Sequence, residues 1–138
     1  MKKNTSRNGV RKMILLAFIV TLMMKLFVID FIIAEGKSMT PAIQPDAILI
    51  VFKAYYGIRL PWPAYQRYLF QWRMPQTGDI LVFYTPHVFD IAVKRCGEVL
   101  PGGNFYALGD NDSQSYDSRM YGPVPKRNII GKVVGSIR

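Results

Sequence analysis

The spacing of hydrophobic and polar positions in this 138-residue chain changes once, near residue 34. Before that point, residues 13–34 read MILLAFIVTLMMKLFVIDFIIA, an apolar run of 22 residues in which Lys25 and Asp30 are the only charges. As a helix this run would be about 33 Å long, enough to cross the hydrocarbon core of a bilayer. The pattern therefore predicts a transmembrane helix over residues 13–34.

After residue 34, short apolar runs alternate with turn residues. The runs are rich in β-branched and aromatic residues, a composition typical of strands. They occupy residues 46–53, 79–84, 91–96, 104–108 and 128–137. We therefore predict a mostly β fold of coiled antiparallel sheets or a partly open β-barrel, preceded by one N-terminal transmembrane helix.

The positive charge of the chain is concentrated at its start. Its 18 Lys and Arg against 9 Asp and Glu give +9, but residues 1–12 contain five of the cations and no acid. The basic composition is partly a property of this tail, which argues against nucleic acid as a partner. By the positive-inside rule, residues 1–12 would stay in the cytoplasm, residues 13–34 would form the anchor and residues 35–138 an extracytoplasmic domain.

A cleavable signal peptide is the alternative interpretation of the N-terminal segment. A basic stretch followed by the apolar run 13–24 fits that description. However, residues 25–33 include no small residue, and a cut after Ala34 would place Ile32 where a small side chain is needed. We therefore favour an uncleaved anchor.

The chain has one Cys and one His. These counts exclude an internal disulfide and a zinc site of the usual four-ligand kind, so no metal is expected. A cysteine protease that uses Cys96 and His87 is possible by residue type alone. Both residues lie in unremarkable contexts, and a buried Cys is usually inert.

Two polar loops and one strand carry candidate chemistry. The first loop, residues 36–41, contains Ser38, and the second, residues 109–122, is an unusually polar segment between two apolar strands. In the strand, period-2 alternation places Lys94 among small neighbours on one face. Burial there would lower the pKa of its amine towards the range that a general base needs. Singly, these features are also typical of a turn, a surface loop and an edge strand.

Taken together and in this order, the features resemble the type I signal peptidases, membrane-bound Ser/Lys endopeptidases that remove signal peptides from exported proteins. Residues 36–41 meet the family pattern G-x-S-M-x-P, and residues 78–83 meet G-D-I-x-V-F. The family's K-R pair and its pattern G-D-N-x-x-x-S-x-D-S-R-x-x-G are met by residues 94–95 and 109–122. One such motif is weak evidence, whereas four in the family's order are specific.

The resemblance implies a mechanism without a cofactor, in which Ser38 is the nucleophile and Lys94 the general base. Ser115 would orient the lysine amine. The backbone N–H of Ser38 would donate to the oxyanion, while Gly36 stands where some members have a second donor serine. The site would be held by two ion pairs, Asp117 with Arg119 and Arg95 with Asp110.

The resemblance also implies the partners and the location. The substrates would be preproteins whose signal peptides carry small residues before the cut, bound as an extended strand. The residues expected to contact them are Ala34, Gly36, Met39, Ala92 and Val93. We expect a single-pass protein of the bacterial cytoplasmic (inner) membrane, with its N-terminus inside. The aromatic stretch 55–72 would face lipid headgroups or form an ordinary packed hairpin.

Three other functions share some of these features. A conjugative-pilin maturation peptidase has the same dyad, and only the substrate separates the two. A self-cleaving LexA-like repressor shares the Ser/Lys logic but has no membrane anchor and carries a DNA-binding helix pair. A noncatalytic membrane-anchored binding module would leave the combination of Ser38, Lys94 and Ser115 unexplained.

Overall fold

The computed structural model of the chain describes residues 4–60, 68–88 and 90–138. Its first element, helix α1, spans Asn4–Phe27 and exposes most of its apolar side chains. Among the residues described, no helix combines the length and the apolar character that a membrane crossing requires. Helix α1 ends at Phe27, so the predicted transmembrane helix over residues 13–34 is wrong in its last part, and the described helices do not support its membrane crossing.

A strand replaces the end of that predicted helix. Strand β1, Ile29–Ile33, pairs antiparallel with strand β2, Ile48–Phe52. Four of residues 28–33 are Val or Ile, and β-branched side chains favour strands over helices. Lys53 lies 3.1 Å from Asp30 and also donates to the carbonyl of Lys25 near the end of α1. Lys53 therefore joins the end of α1 to the start of β1.

The strands that follow β2 are β3 (Gly57–Arg59), β4 (Tyr68–Gln71), β5 (Ile80–Tyr84), β6 (Ile91–Val99), β7 (Phe105–Leu108) and β8 (Ile129–Ile137). Six strands form one open antiparallel sheet in the order β1-β2-β8-β5-β6-β7, and β3 and β4 form a separate hairpin. All five predicted strands and the mostly β, antiparallel character are confirmed. The sheet does not close, because β1 and β7 are its edges, so the partly open barrel of the prediction is replaced by an open sheet.

Buried apolar clusters cover both faces of this sheet. Alternation along β5 sends Leu81 and Phe83 into one cluster and Val82 into the other. The second cluster also contains Ala34 and Met39, which flank residues 35–38. Packing of these two side chains therefore fixes both ends of the Ser38 loop against the sheet.

The β3–β4 hairpin is held against the main sheet by polar contacts. The Arg59 guanidinium lies 5.2 Å from the centroid of the Tyr84 ring, and Tyr68 donates a hydrogen bond to the Ile129 carbonyl. This part of the predicted aromatic stretch therefore forms a docked hairpin. The rest of that stretch, residues 61–67, lies outside the described residues.

Candidate active site

The loop after β1 brings Ser38 against the side chain of Lys94 on β6. The Nζ of Lys94 lies 2.6 Å from the Oγ of Ser38, although the residues are 56 positions apart. Gly36, which has a φ of +78°, makes the turn that leads into this loop, a conformation that costs glycine little. The turn at Gly36 and the position of β6 in the sheet thus bring the Ser38 hydroxyl next to the Lys94 amine.

The amine of Lys94 lies in a largely dry environment. The residue is 7% exposed, and burial is the main cause that lowers the pKa of its amine below the ordinary value. The carboxylate of Asp117 opposes this shift, and the positive charge of Arg119 adds to it. Lys94 is therefore easier to deprotonate than a lysine on the surface.

Asp117 is the centre of the polar loop. Its carboxylate is fully buried and accepts hydrogen bonds from Arg119 Nη2 at 2.6 Å, from the Gly109 amide at 2.8 Å and from Ser115 Oγ at 2.6 Å. Burial alone would raise the pKa of Asp117, but these donors outweigh it and hold the pKa well below its usual range. Asp117 also caps helix α2, Ser118–Tyr121, through the Arg119 backbone N–H.

The structure places Ser115 next to Asp117 rather than in direct hydrogen-bond contact with Lys94. Its hydroxyl is buried and donates to Asp117. No hydrogen bond joins Ser115 to the Lys94 amine among the described side chains. The orienting role that the resemblance implies for Ser115 stays a prediction. In this geometry Ser115 would act on Lys94 indirectly, through the Asp117 carboxylate.

The other predicted ion pair holds the opposite side of the same loop. Arg95 forms a bidentate ion pair with Asp110, in which Nε lies 2.8 Å from Oδ1 and Nη2 lies 2.7 Å from Oδ2. Its Nη1 also donates to the Gly78 carbonyl at 3.0 Å. The residue that follows Lys94 thereby ties β6 both to the polar loop and to the turn before β5.

Two residues of the polar loop position Ser38 directly, and the sequence analysis gave neither a role. The Asn111 amide donates to the Ser38 carbonyl at 3.0 Å, and its side chain donates to Thr40 at 3.1 Å. Gly109 leaves room for this approach, because a Cβ at that position would lie 2.7 Å from the Ser38 carbonyl and collide with Ser115. Both residues belong to the quoted sequence pattern, which was the available signal.

A buried polar cluster behind the site was also missed. Asp79 accepts a hydrogen bond from Tyr56 at 2.7 Å and lies 2.6 Å from the Lys132 ammonium. Burial would raise the pKa of Asp79, but these two donors lower it below its ordinary value. The Asp79 carbonyl accepts the Cys96 amide at 2.7 Å, so the cluster fixes β6 two residues beyond Lys94.

A groove of about 410 Å³ opens beside the Ser38 hydroxyl. It contains every residue predicted to contact substrate, together with apolar side chains of β1 and β6. The lining includes Ile32, Ala34, Gly36, Met39, Ile43, Ile91, Ala92 and Val93. We call this space the catalytic groove; besides the apolar side chains, Glu35, Ser38 and Lys94 line it, and its size admits an extended peptide.

The remaining candidates do not form a site in the described part of the chain. Cys96 is 1% exposed, and burial raises the pKa of its thiol to about 11, which suits a packing role. Its sulfur is in contact with the Gly97 carbonyl and not with His87. Residues 4–60, 68–88 and 90–138 include no cluster of potential metal ligands.

Comparisons with known proteins point to one family. The profile of the family described as "Signal peptidase, peptidase S26" matches residues 7–97 and 87–137. Signal peptidase I of Leptolyngbya laminosa is 26% identical over 167 aligned positions, which cover 89% of this chain and 75% of that protein. The probable signal peptidase I-1 of Synechocystis is 23% identical, with coverages of 86% and 76%. A 40-residue match at 40% identity, to the inactive signal peptidase IA of Staphylococcus aureus, covers 29% of this chain and 23% of that protein.

Proposed function

Because the chain belongs to the signal peptidase family, peptidase S26, we propose that it is a serine endopeptidase that removes signal peptides from exported preproteins. Ser38 is the nucleophile and Lys94 the general base. The observation that carries the proposal is the 2.6 Å contact between Lys94 Nζ and Ser38 Oγ. This distance lies within the hydrogen-bond reach that proton transfer requires.

Acylation begins with a neutral Lys94 amine. The amine takes the Ser38 proton while Oγ attacks the carbonyl carbon of the scissile peptide bond. Lys94, now an ammonium, returns the proton to the leaving nitrogen, the C–N bond breaks and an ester joins Ser38 to the signal peptide. Burial of Lys94 supports this role, because it favours the neutral amine that the first step uses.

Deacylation reuses the same amine. Lys94 removes a proton from a water molecule, whose oxygen attacks the ester carbon. The bond from that carbon to Ser38 Oγ then breaks, Lys94 returns the proton to Oγ, and the signal peptide leaves with a free carboxylate. The Ser38 backbone N–H accompanies both steps as an oxyanion donor. It is available for this purpose, because it makes no backbone hydrogen bond within the described residues.

The substrate binds in the catalytic groove as an added strand. β7 pairs with β6 only from Arg95 onward, so the edge of β6 from Ile91 to Lys94 offers backbone groups on the side of the groove. Ala34, Ala92 and Val93 line that space. Short side chains at these positions let the substrate backbone lie close to the walls, and a close approach leaves space only for small residues before the cut.

We further propose that the enzyme works at the bacterial inner membrane. Residues 1–12 are the cytoplasmic tail, the apolar segment from residue 13 provides attachment, and residues 35–138 form the extracytoplasmic peptidase domain. On α1, the side chains of Met13 and Phe18 are 71% and 65% exposed, and burying such surface in lipid is favourable. A reporter fused after Arg138 tests the orientation, and it should be accessible only from the extracytoplasmic side.

Product identification tests the activity. The detergent-solubilised full chain should be incubated separately with a preprotein and with a pilin precursor, and the new N-termini sequenced. The proposal predicts cleavage of the preprotein after a small residue at the end of its signal peptide. Cleavage of the pilin precursor alone would identify the specialised peptidase instead, and cleavage of neither would contradict the proposed activity.

A further inference from the structure

A second cavity continues the catalytic groove towards α1. It has a volume of about 260 Å³ and shares Ile32 and Ile91 with the groove. Beyond these two side chains its walls combine apolar residues, among them Leu26, Phe27, Leu60 and Ile130, with four charged ones. The charged residues are Lys25, Asp30, Lys53 and Arg59.

The direction of the strands gives the distance of this cavity from Ser38. Each neighbouring pair between β1 and β6 is antiparallel across the order β1-β2-β8-β5-β6, so β1 and β6 run the same way, towards the catalytic pair. Ile91 precedes Lys94 by three residues, which is about 10 Å along a strand. An extended substrate therefore reaches the second cavity beyond about its third residue away from the scissile bond.

The cavity carries an excess of positive charge. Lys53 is paired with Asp30 at 3.1 Å, which leaves Lys25 and Arg59 unneutralised. All nine acids of the chain lie in the described residues, and none of the ion pairs there includes either cation. The guanidinium of Arg59 is held in place by the Ile129 carbonyl. Lys25 is exposed and Arg59 is half-buried, and charges beside a partly enclosed space act more strongly on a bound ligand than charges in open solvent.

The position of α1 indicates which end of the substrate enters this cavity. The cavity lies where α1 meets β1, on the side of the exposed apolar helix. The apolar segment of a signal peptide would lie on that same side. Residues that precede the cut therefore reach Lys25 and Arg59, and residues that follow it leave in the opposite direction.

We propose that this cavity is a charge-selective subsite that favours an acidic side chain in the substrate segment preceding the cut, from the fourth residue outward, and disfavours a basic one. Lys25 and Arg59 are its specificity-determining residues. The proposal rests on the proposed function, since it assigns a substrate preference to the same site.

Three peptides that differ at one position test the subsite. They carry Glu, Gln or Lys at the fourth residue before the cut, and kcat/KM is measured for each with the full chain in neutral detergent. We expect the Glu peptide to exceed the Lys peptide by about fivefold, the scale of a partly exposed charge interaction. In about 1 M salt the ratio should approach one, because the Debye length falls to about 3 Å.

Matched charge reversals identify the residues responsible. Lys25→Glu, at an exposed position of α1, should remove or invert the preference, and Arg59→Gln should weaken it. Lys126→Glu is the control, because this lysine lies near Met74, outside both cavities, and it should leave the ratio unchanged. Equal kcat/KM for all three peptides, or an equal effect of Lys25→Glu and Lys126→Glu, would overturn the subsite.

Failure of the subsite is distinguishable from failure of the proposed function. The neutral Gln peptide reports on activity alone, since its cleavage needs no charge preference. Wild-type cleavage of this peptide that Ser38→Ala abolishes supports the activity, whatever the Glu to Lys ratio is. No cleavage of any of the three peptides would contradict the activity and the subsite together.

Discussion

The hydroxyl of Ser115 donates a hydrogen bond of 2.6 Å to the buried carboxylate of Asp117. Asp117 in turn favours the ammonium form of Lys94 electrostatically, so Ser115 influences the lysine through a charged intermediary. Removing the hydroxyl would leave the carboxylate with one donor fewer in a buried place, which raises its free energy.

Ser115→Ala should lower kcat/KM by about tenfold, the scale of one lost hydrogen bond to a charged group. Ser113 is the matched control, because it is exposed and its hydroxyl contacts only the Asn111 side chain. Ser113→Ala should therefore have little effect. The measurement is kcat/KM for both variants across pH. A substitution that only reduced the amount of folded protein would lower kcat/KM without changing the apparent pKa of the profile. Equal effects of the two substitutions would contradict the role of Ser115.

The pH dependence of cleavage reports on Lys94. Burial lowers the pKa of this amine from its ordinary value of 10.5, and only the neutral form accepts the Ser38 proton. Where chemistry is rate-limiting, kcat/KM should rise with pH through an apparent pKa below that of free lysine. Rates measured between pH 6 and 10 check this, and a flat profile across that range would argue against a lysine base.

The same lowered pKa has a consequence for stability. The folded protein binds the Lys94 proton less tightly than the unfolded chain does, so protonation of Lys94 opposes folding. This free-energy penalty grows as pH falls from the unfolded-state pKa to the folded-state pKa and is constant below the folded-state pKa. The unfolding free energy of Lys94→Met, relative to that of wild type, should therefore increase as pH falls from 10.5 towards neutral. Urea unfolding at several pH values measures this difference. A difference that does not change with pH would contradict the shift.

Asp117 should affect stability in the opposite direction. Its pKa is held below the ordinary value of 3.8, so its stabilisation is present above the unfolded pKa and is lost as pH falls through the folded pKa. Asp117→Asn should be destabilised by about 3 kcal/mol at neutral pH, the cost of breaking a buried charged pair. The difference from wild type should shrink below about pH 4, as acid unfolding curves would reveal. A constant difference down to pH 2 would exclude this account.

Gly109 tests whether the polar loop positions Ser38. A methyl group there would collide with Ser115 and push against the Ser38 carbonyl, so Gly109→Ala should lower kcat by about a hundredfold, the scale of a 1 Å misplacement. Gly135→Ala is the control, since its Cβ would make an ordinary contact of 3.5 Å with Ile50. Comparison of kcat for the two variants, with circular dichroism to check folding, decides the matter. Wild-type kcat in Gly109→Ala would contradict the positioning role.

Much of the fold could be predicted because each core strand carries its own signal. The runs 79–84 and 91–96 are apolar, β-branched and bounded by turn residues, and they form β5 and β6. The segment 29–33 is predicted as helix because its apolar residues continue the preceding run with only Asp30 as an interruption. Residues 29–33 form a strand because they pair with β2, and the hydropathy pattern of the sequence does not predict such a long-range contact.

The residues of the site could be proposed from motifs, whereas the contacts between them needed the structure. Ser38, Lys94 and Asp117 were singled out on the pattern, and the fold brings them to one place. That Ser115 contacts Asp117 rather than Lys94 depends on side-chain directions within the loop. The pattern marks Gly109 as a member of the loop, but its role depends on a close approach of two segments that only the structure reveals.

The most direct test of the account is the initial rate of preprotein cleavage by purified wild type, Ser38→Ala, Lys94→Ala and Cys96→Ala. Loss of the nucleophile or of its base removes a whole catalytic step, so we expect each of the first two substitutions to lower the rate at least about 10³-fold. Cys96→Ala should keep a rate near that of wild type, since this buried thiol only packs against the core. Cleavage at the wild-type rate by either Ser38→Ala or Lys94→Ala would contradict a Ser/Lys peptidase.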